Sequence, residues 1–237
     1  MEKERTINVY GDAERASVFS ALMRKVYVWM AMGLAMTGLT AAYVAGNQSL
    51  MEAVFSGRFT FFGLLIAEIA LVYILSSRIM RMSFPTAGLM FAAYSILNGA
   101  TLSVIFLAYS SEVIATTFFV TAGMFGAMSL VGFVVRRDLS AMGRFLIMAL
   151  VGIIIASIVN MFVASEALYW GITYLGVLLF AGLTAYDTQK IKMMFLQYGD
   201  EVNESTMKLA LLGSLTLYLD FVNLFLYLLR IFGGGRD

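Results

Sequence analysis

The stretch GSLTLYLDFVNLFLYLLRIFGG, residues 213–234, decides how this chain must be read. Leu, Phe and other apolar residues dominate it, and it is long enough to cross a bilayer, which takes roughly 20 such residues. Asp220 stands near its middle. A carboxylate carried into a membrane costs about 2.5–3.5 kcal/mol on insertion scales, so this one needs a use or a partner. Thr216, Asp220, Asn223, Tyr227 and Arg230 follow at spacings of 4, 3, 4 and 3, which lines them along one helix face. That face must meet protein or water. Arg230 lies near the end and can reach the interface as an anchor. Hydrogen bonding between helices accounts for Thr216, Asn223 and Tyr227. It accounts poorly for Asp220, because an Asn would join helices at lower cost.

Composition carries the membrane reading to the whole chain. Of 237 residues, 61% are hydrophobic and 13% charged, too little polar sequence to coat a soluble domain of this size. The first 25 residues are charged and lack an apolar core, so no cleavable signal peptide is expected. There is no cysteine and no histidine, which excludes disulfides, thiol catalysis, Cys/His zinc sites and Ser-His-Asp triads. A response to pH near neutrality would then fall to carboxylates. A net charge of +1 gives no electrostatic case for nucleic acid.

Seven segments meet the length requirement, at about 26–46, 60–77, 86–109, 113–135, 143–164, 168–187 and 210–232. The expected organisation is a cytoplasmic tail over 1–25, one membrane domain over 26–232 and a short tail over 233–237. Counting Lys and Arg on alternate sides puts 13 of 16 with the N-terminus, which predicts a cytoplasmic N-terminus in a cell or inner membrane. An even-numbered alternative would make the last segment re-entrant. Gly38, Ala42 and Gly46 recur at four-residue spacing, as do Gly123 with Ala127 and Gly152 with Ala156. Such small residues let helices approach; they are read as packing within one bundle, and a monomer is expected.

Two further carboxylates accompany Asp220. Asp187, in FAGLTAYDTQKIK, ends the sixth apolar run three residues after Thr184, where a solvated helix-end aspartate is the plain alternative to a functional one. It can meet Asp220 if the sixth span is set slightly deeper. Glu68 lies midway along the second span, which ends at Arg78 with Arg81 beyond. Ten residues put Glu68 and Arg78 on different faces, and the arginines read equally well as interfacial anchors. Asn98 and Asn160 are expected to join helices. Carboxylate oxygens suit Ca²⁺, and two held close cannot both ionise, so they share a proton.

LTAYDTQKIK, LTLYLDFVNLFLYLLRIFG, the RRDLS turn and the mid-helix Glu68 together resemble the Bax inhibitor-1 (transmembrane Bax inhibitor motif) family, over nearly the whole chain. The resemblance implies a seven-helix bundle with the last helix central, and a pH-sensitive calcium leak. It places the paired, ion-binding aspartates on Asp187 and Asp220, and an arginine latch on Arg78 or Arg81. Glu68 matches the family's second-helix glutamate; Asn98, Thr216 and Asn223 are supporting polar candidates. No cofactor is implied beyond Ca²⁺ as permeant or bound ion.

Two other functions compete. An intramembrane aspartyl protease would need Gly-x-Gly-Asp at its second aspartate and a Pro-Ala-Leu motif. Here Asp220 follows LYL and the single proline, Pro85, precedes Thr86, so no enzyme is expected. A non-transporting regulator that binds other membrane proteins, such as a membrane protease, would leave the embedded carboxylates without a task.

Overall fold

The computed structural model describes residues 2–55, 57–199 and 201–234, with backbone alone for 2–14, 58 and 59. Residues 235–237 of the expected C-terminal tail lie outside the described residues. The chain is helical throughout: α1 (Glu2–Ala45), α2 (Gln48–Phe55), α3 (Arg58–Arg78), a 3-10 turn (Ile79–Arg81), α4 (Phe84–Leu102), α5 (Ile105–Ala108), α6 (Ser111–Val134), α7 (Ser140–Val163), α8 (Glu166–Tyr198) and α9 (Glu204–Gly233). No strand occurs among the described residues.

Seven helical segments are long and apolar enough to cross a membrane, and they fall on the seven segments read from the sequence. The last is one uninterrupted helix of 30 residues, which removes the re-entrant alternative. It is also the most enclosed, with 67% of its span buried against 11% for the spans of α3 and α7. Local signals set several ends. Ser83 caps α4 by accepting Thr86 N–H at 3.3 Å, with Pro85 in the first turn where its missing N–H costs nothing. Asn160 Oδ1 accepts Ser165 N–H at 2.9 Å just past the end of α7, where Ala164 turns left-handed at φ 49°. Asn160 thus closes a helix end instead of joining two helices.

α1 runs unbroken from Glu2 to Ala45. Leu22, Val26 and Met30, spaced by four, are all buried, so one face of this helix packs inward from Leu22 on.

The chain divides into two compact units, Met1–Ala108 with Lys192–Tyr218, and Tyr109–Ile191 with Leu219–Asp237. The sequence reading treats 26–232 as one domain. In the first unit α1 packs on α4 and α3 on α4. Gly99 brings α4 onto α1: a Cβ there would lie 2.6 Å from the Thr37 carbonyl oxygen. In the second unit a Cβ on Gly132 would lie 2.1 Å from the Ala185 carbonyl oxygen, so α6 and α8 touch backbone to backbone. Gly38, Gly123 and Gly152 meet nothing within 4 Å beyond their own helices. The four-residue spacings therefore do not mark the close crossings; the isolated Gly99 and Gly132 do.

Candidate functional site

The site is built on α8. Around Asp187 that helix is held on successive residues. Ala185 abuts Gly132 of α6, Tyr186 lies over Gly143 of α7, and Thr188 Oγ1 donates to Ser129 Oγ at 3.4 Å. Gln189 uses its whole carboxamide on the turn between α6 and α7. Its Nε2 donates to the Val135 carbonyl at 3.1 Å and the Arg137 carbonyl at 2.9 Å, while its Oε1 accepts Leu139 N–H at 2.8 Å. Buried and fully bonded, this amide satisfies three backbone groups that no helix could.

Asp187 is therefore not at a solvated helix end. α8 continues to Tyr198, and Asp187 is only 9% exposed. Its carboxyl lies close enough to that of Asp220 on α9 for the two to interact. Two carboxyl groups can share a hydrogen bond only if one brings a proton. Asp220 is 4% exposed, and its Oδ2 is buried with no hydrogen-bond partner. A buried acceptor left open in this way costs about 1–3 kcal/mol. Next to it Phe221 packs against Phe118 and Phe125 of α6, each at 5.5 Å between ring centres. Lys190, one residue-turn from Asp187 and exposed, is the cation acting on it.

The remaining candidates are placed as follows. Thr216 donates to the Leu212 carbonyl at 3.1 Å and Asn223 to the Leu219 carbonyl at 2.8 Å, both in their own helix. Their expected role as links between helices is not taken up. Tyr227 stacks on Phe180 at 5.8 Å and lies under the Arg230 guanidinium at 5.1 Å. Arg78 ends α3 and Arg81 closes the 3-10 turn; both are exposed and belong to the first unit. No group of three or more Asp, Glu, His or Cys that could hold a metal occurs among the described residues.

Glu68 belongs to the first unit too, where it accepts hydrogen bonds from Thr101 Oγ1 and from Asn98 Nδ2, the latter at 3.4 Å. Asn98 does link helices. Tyr218, Thr37, Ser129 and Gln189 were not singled out from the sequence. Tyr218 sits two residues from Asp220 on another side of α9, and only the packing of α1 and α4 reveals its use.

Fold and site together define a multi-pass helical membrane protein with carboxyl groups buried in its spans. The chain belongs to the Bax inhibitor-1 family: the family described as "Inhibitor of apoptosis-promoting Bax1" matches residues 19–237. Among its relatives, Inner membrane protein YbhL of Escherichia coli is 52% identical over 214 residues, covering 90% of this chain and 92% of that one. An uncharacterized protein of Deinococcus radiodurans is 46% identical over 217 residues, 91% of this chain and 90% of the other. An uncharacterized membrane protein of Streptococcus pyogenes is 35% identical over 211 residues, 88% and 90% of the two chains.

Proposed function

We propose that this chain is a proton-regulated Ca²⁺ leak of the inner membrane, N-terminus in the cytoplasm, with Asp187 and Asp220 as its gate. The observation that carries the reading is the meeting of two buried carboxyls, Asp187 and Asp220, with Asp220 Oδ2 left without a hydrogen-bond partner. While one proton is shared, the pair is neutral on one side and closed. Losing that proton leaves two negative charges that repel, and a divalent cation relieves them. Two carboxylates offer at most four oxygens, whereas Ca²⁺ takes 6–8. Water or backbone carbonyls must complete its shell, which favours weak holding and passage over storage. The family resemblance assigns a latching role to Arg78 or Arg81, at the exposed end of α3. Losing the shared proton lets α9 shift against α8.

The sign follows: flux is low in acid, where the proton is retained, and rises as the pair deprotonates. Ca²⁺ entry into dye-loaded liposomes holding the purified protein, followed from about pH 5 to 8, tests this. Wild type should exceed empty liposomes with a pH-dependent rate, and Asp187→Asn and Asp220→Asn should flatten or displace that dependence. Wild-type flux equal to empty liposomes at every pH removes the leak reading. The pair would then require explanation through a partner protein.

A further inference from the structure

The polar cluster of the first unit contains a count that does not close without an added proton. Four contacts run in series through four helices. Glu68 Oε2 (α3) meets the Asn98 carboxamide (α4) at 3.4 Å. Asn98 meets the Tyr218 hydroxyl (α9) at 3.0 Å. Tyr218 meets Thr37 Oγ1 (α1) at 2.7 Å, and Thr37 meets the Ser95 carbonyl (α4) at 2.9 Å. Thr37, Ser95, Asn98, Glu68 and Tyr218 are all buried, Tyr218 completely, and Tyr218 is fixed edge-on against Phe91 and Tyr94, each at 5.7 Å.

Each hydroxyl has one proton to give, and a carbonyl has none. With Glu68 ionised, Asn98 donates to it, Tyr218 donates to Asn98 and Thr37 donates to Tyr218. Nothing is then left for the Ser95 carbonyl, and one of the four contacts goes without a proton. With Glu68 protonated, its O–H donates to the Asn98 oxygen after a half-turn of the carboxamide. Asn98 then donates to Tyr218, Tyr218 to Thr37 and Thr37 to Ser95. All four contacts are satisfied, and the direction of every donor along the chain is reversed.

We propose that Glu68 is a second protonation site, separate from the aspartate pair, whose proton is reported to α9 by reversal of the chain Glu68–Asn98–Tyr218–Thr37–Ser95. The bound species is a proton. Neutral groups, Thr101 and Asn98, bond the carboxyl directly. Among the described residues the titratable groups facing it are the phenols of Tyr94 on α4 and Tyr218 on α9. α1 contributes the neutral Thr37, and on α2 Glu52 is exposed and accepts instead from Gln48. The relay needs no Ca²⁺ flux, so it stands or falls apart from the leak reading.

Infrared pH-difference spectra of the purified full chain, over roughly pH 4 to 10, test it. Wild type should lose a carboxylic-acid band on deprotonation together with a change in a tyrosine C–O band. Glu68→Gln, whose amide N–H₂ can donate to Asn98 as the acid does, should lose both signals. Tyr218→Phe should lose the tyrosine change and keep the acid band. The double variant Asp187→Asn/Asp220→Asn removes the other buried pair and should keep both. Signals that persist in Glu68→Gln, or that vanish only in the double aspartate variant, overturn the proposal. The double variant decides the matter even if Glu68→Gln does not fold.

Discussion

Asp220 and Asp187 differ in what each leaves behind when removed. Asp220→Asn keeps a side chain that can bond Asp187, so its melting temperature in detergent should stay near wild type. Asp187→Leu instead strands the whole Asp220 carboxyl in a buried setting, a loss of about 1–3 kcal/mol. Thermal unfolding of the two variants checks this; equal, small effects would mean the carboxyls do not depend on each other. Asp220 was legible in the sequence because a charge at the middle of a 3–4 spaced polar stripe has no cheap structural use. The burial of Asp187 was not. Lys190 and Lys192 follow closely enough to imitate a helix end, and it takes contacts such as Gly132 with Ala185 and Gly143 with Tyr186 to show that α8 is enclosed there.

The elements around Asp187 are held by a few replaceable groups. Gln189→Leu would leave the Val135 and Arg137 carbonyls and Leu139 N–H without their partner. A loss of about 1–3 kcal/mol and faster amide exchange at Leu139 are expected, read by melting and hydrogen exchange. Gly132→Ala sets a methyl against backbone that cannot rotate away, costing about 1–3 kcal/mol; Gly123→Ala, facing open space, should cost nothing measurable. Equal melting of the two glycine variants would contradict the α6–α8 contact. The turn has its own pH signature. Hydrogen bonds with Ser140 hold the Asp138 carboxyl below its ordinary value of 3.8. Its support of the start of α7 is therefore complete above that value and lost as pH falls through the lowered one. Protection of the Ser140 N–H, measured against its intrinsic exchange rate at each pH, should fall only in strong acid, and should not vary with pH in Asp138→Asn. Small-residue spacing predicted none of this, because regular four-residue repeats do not distinguish lipid-facing glycine from glycine at a crossing.

At the scale of the molecule, seven apolar runs separated by short polar turns made the span count readable, and the distribution of Lys and Arg is the ground for the proposed orientation. What composition could not supply is which helix is enclosed: α9 is no more apolar than its neighbours, yet 67% of its span is buried. The chain has no cysteine, so single cysteines report topology cleanly. A cysteine at Arg137 should react with an impermeant thiol reagent only from the cytoplasmic face, and one at Arg58 only from the outer face; the reverse pattern inverts the assignment. On the proposed function, Asp187 and Asp220 hold either a shared proton or a calcium ion. Its most direct test is the pH of a weakly buffered detergent solution of the protein, followed as Ca²⁺ is added. Release of protons by wild type, absent in Asp187→Asn and Asp220→Asn, is the predicted result. No release, or the same release from all three, would contradict the account.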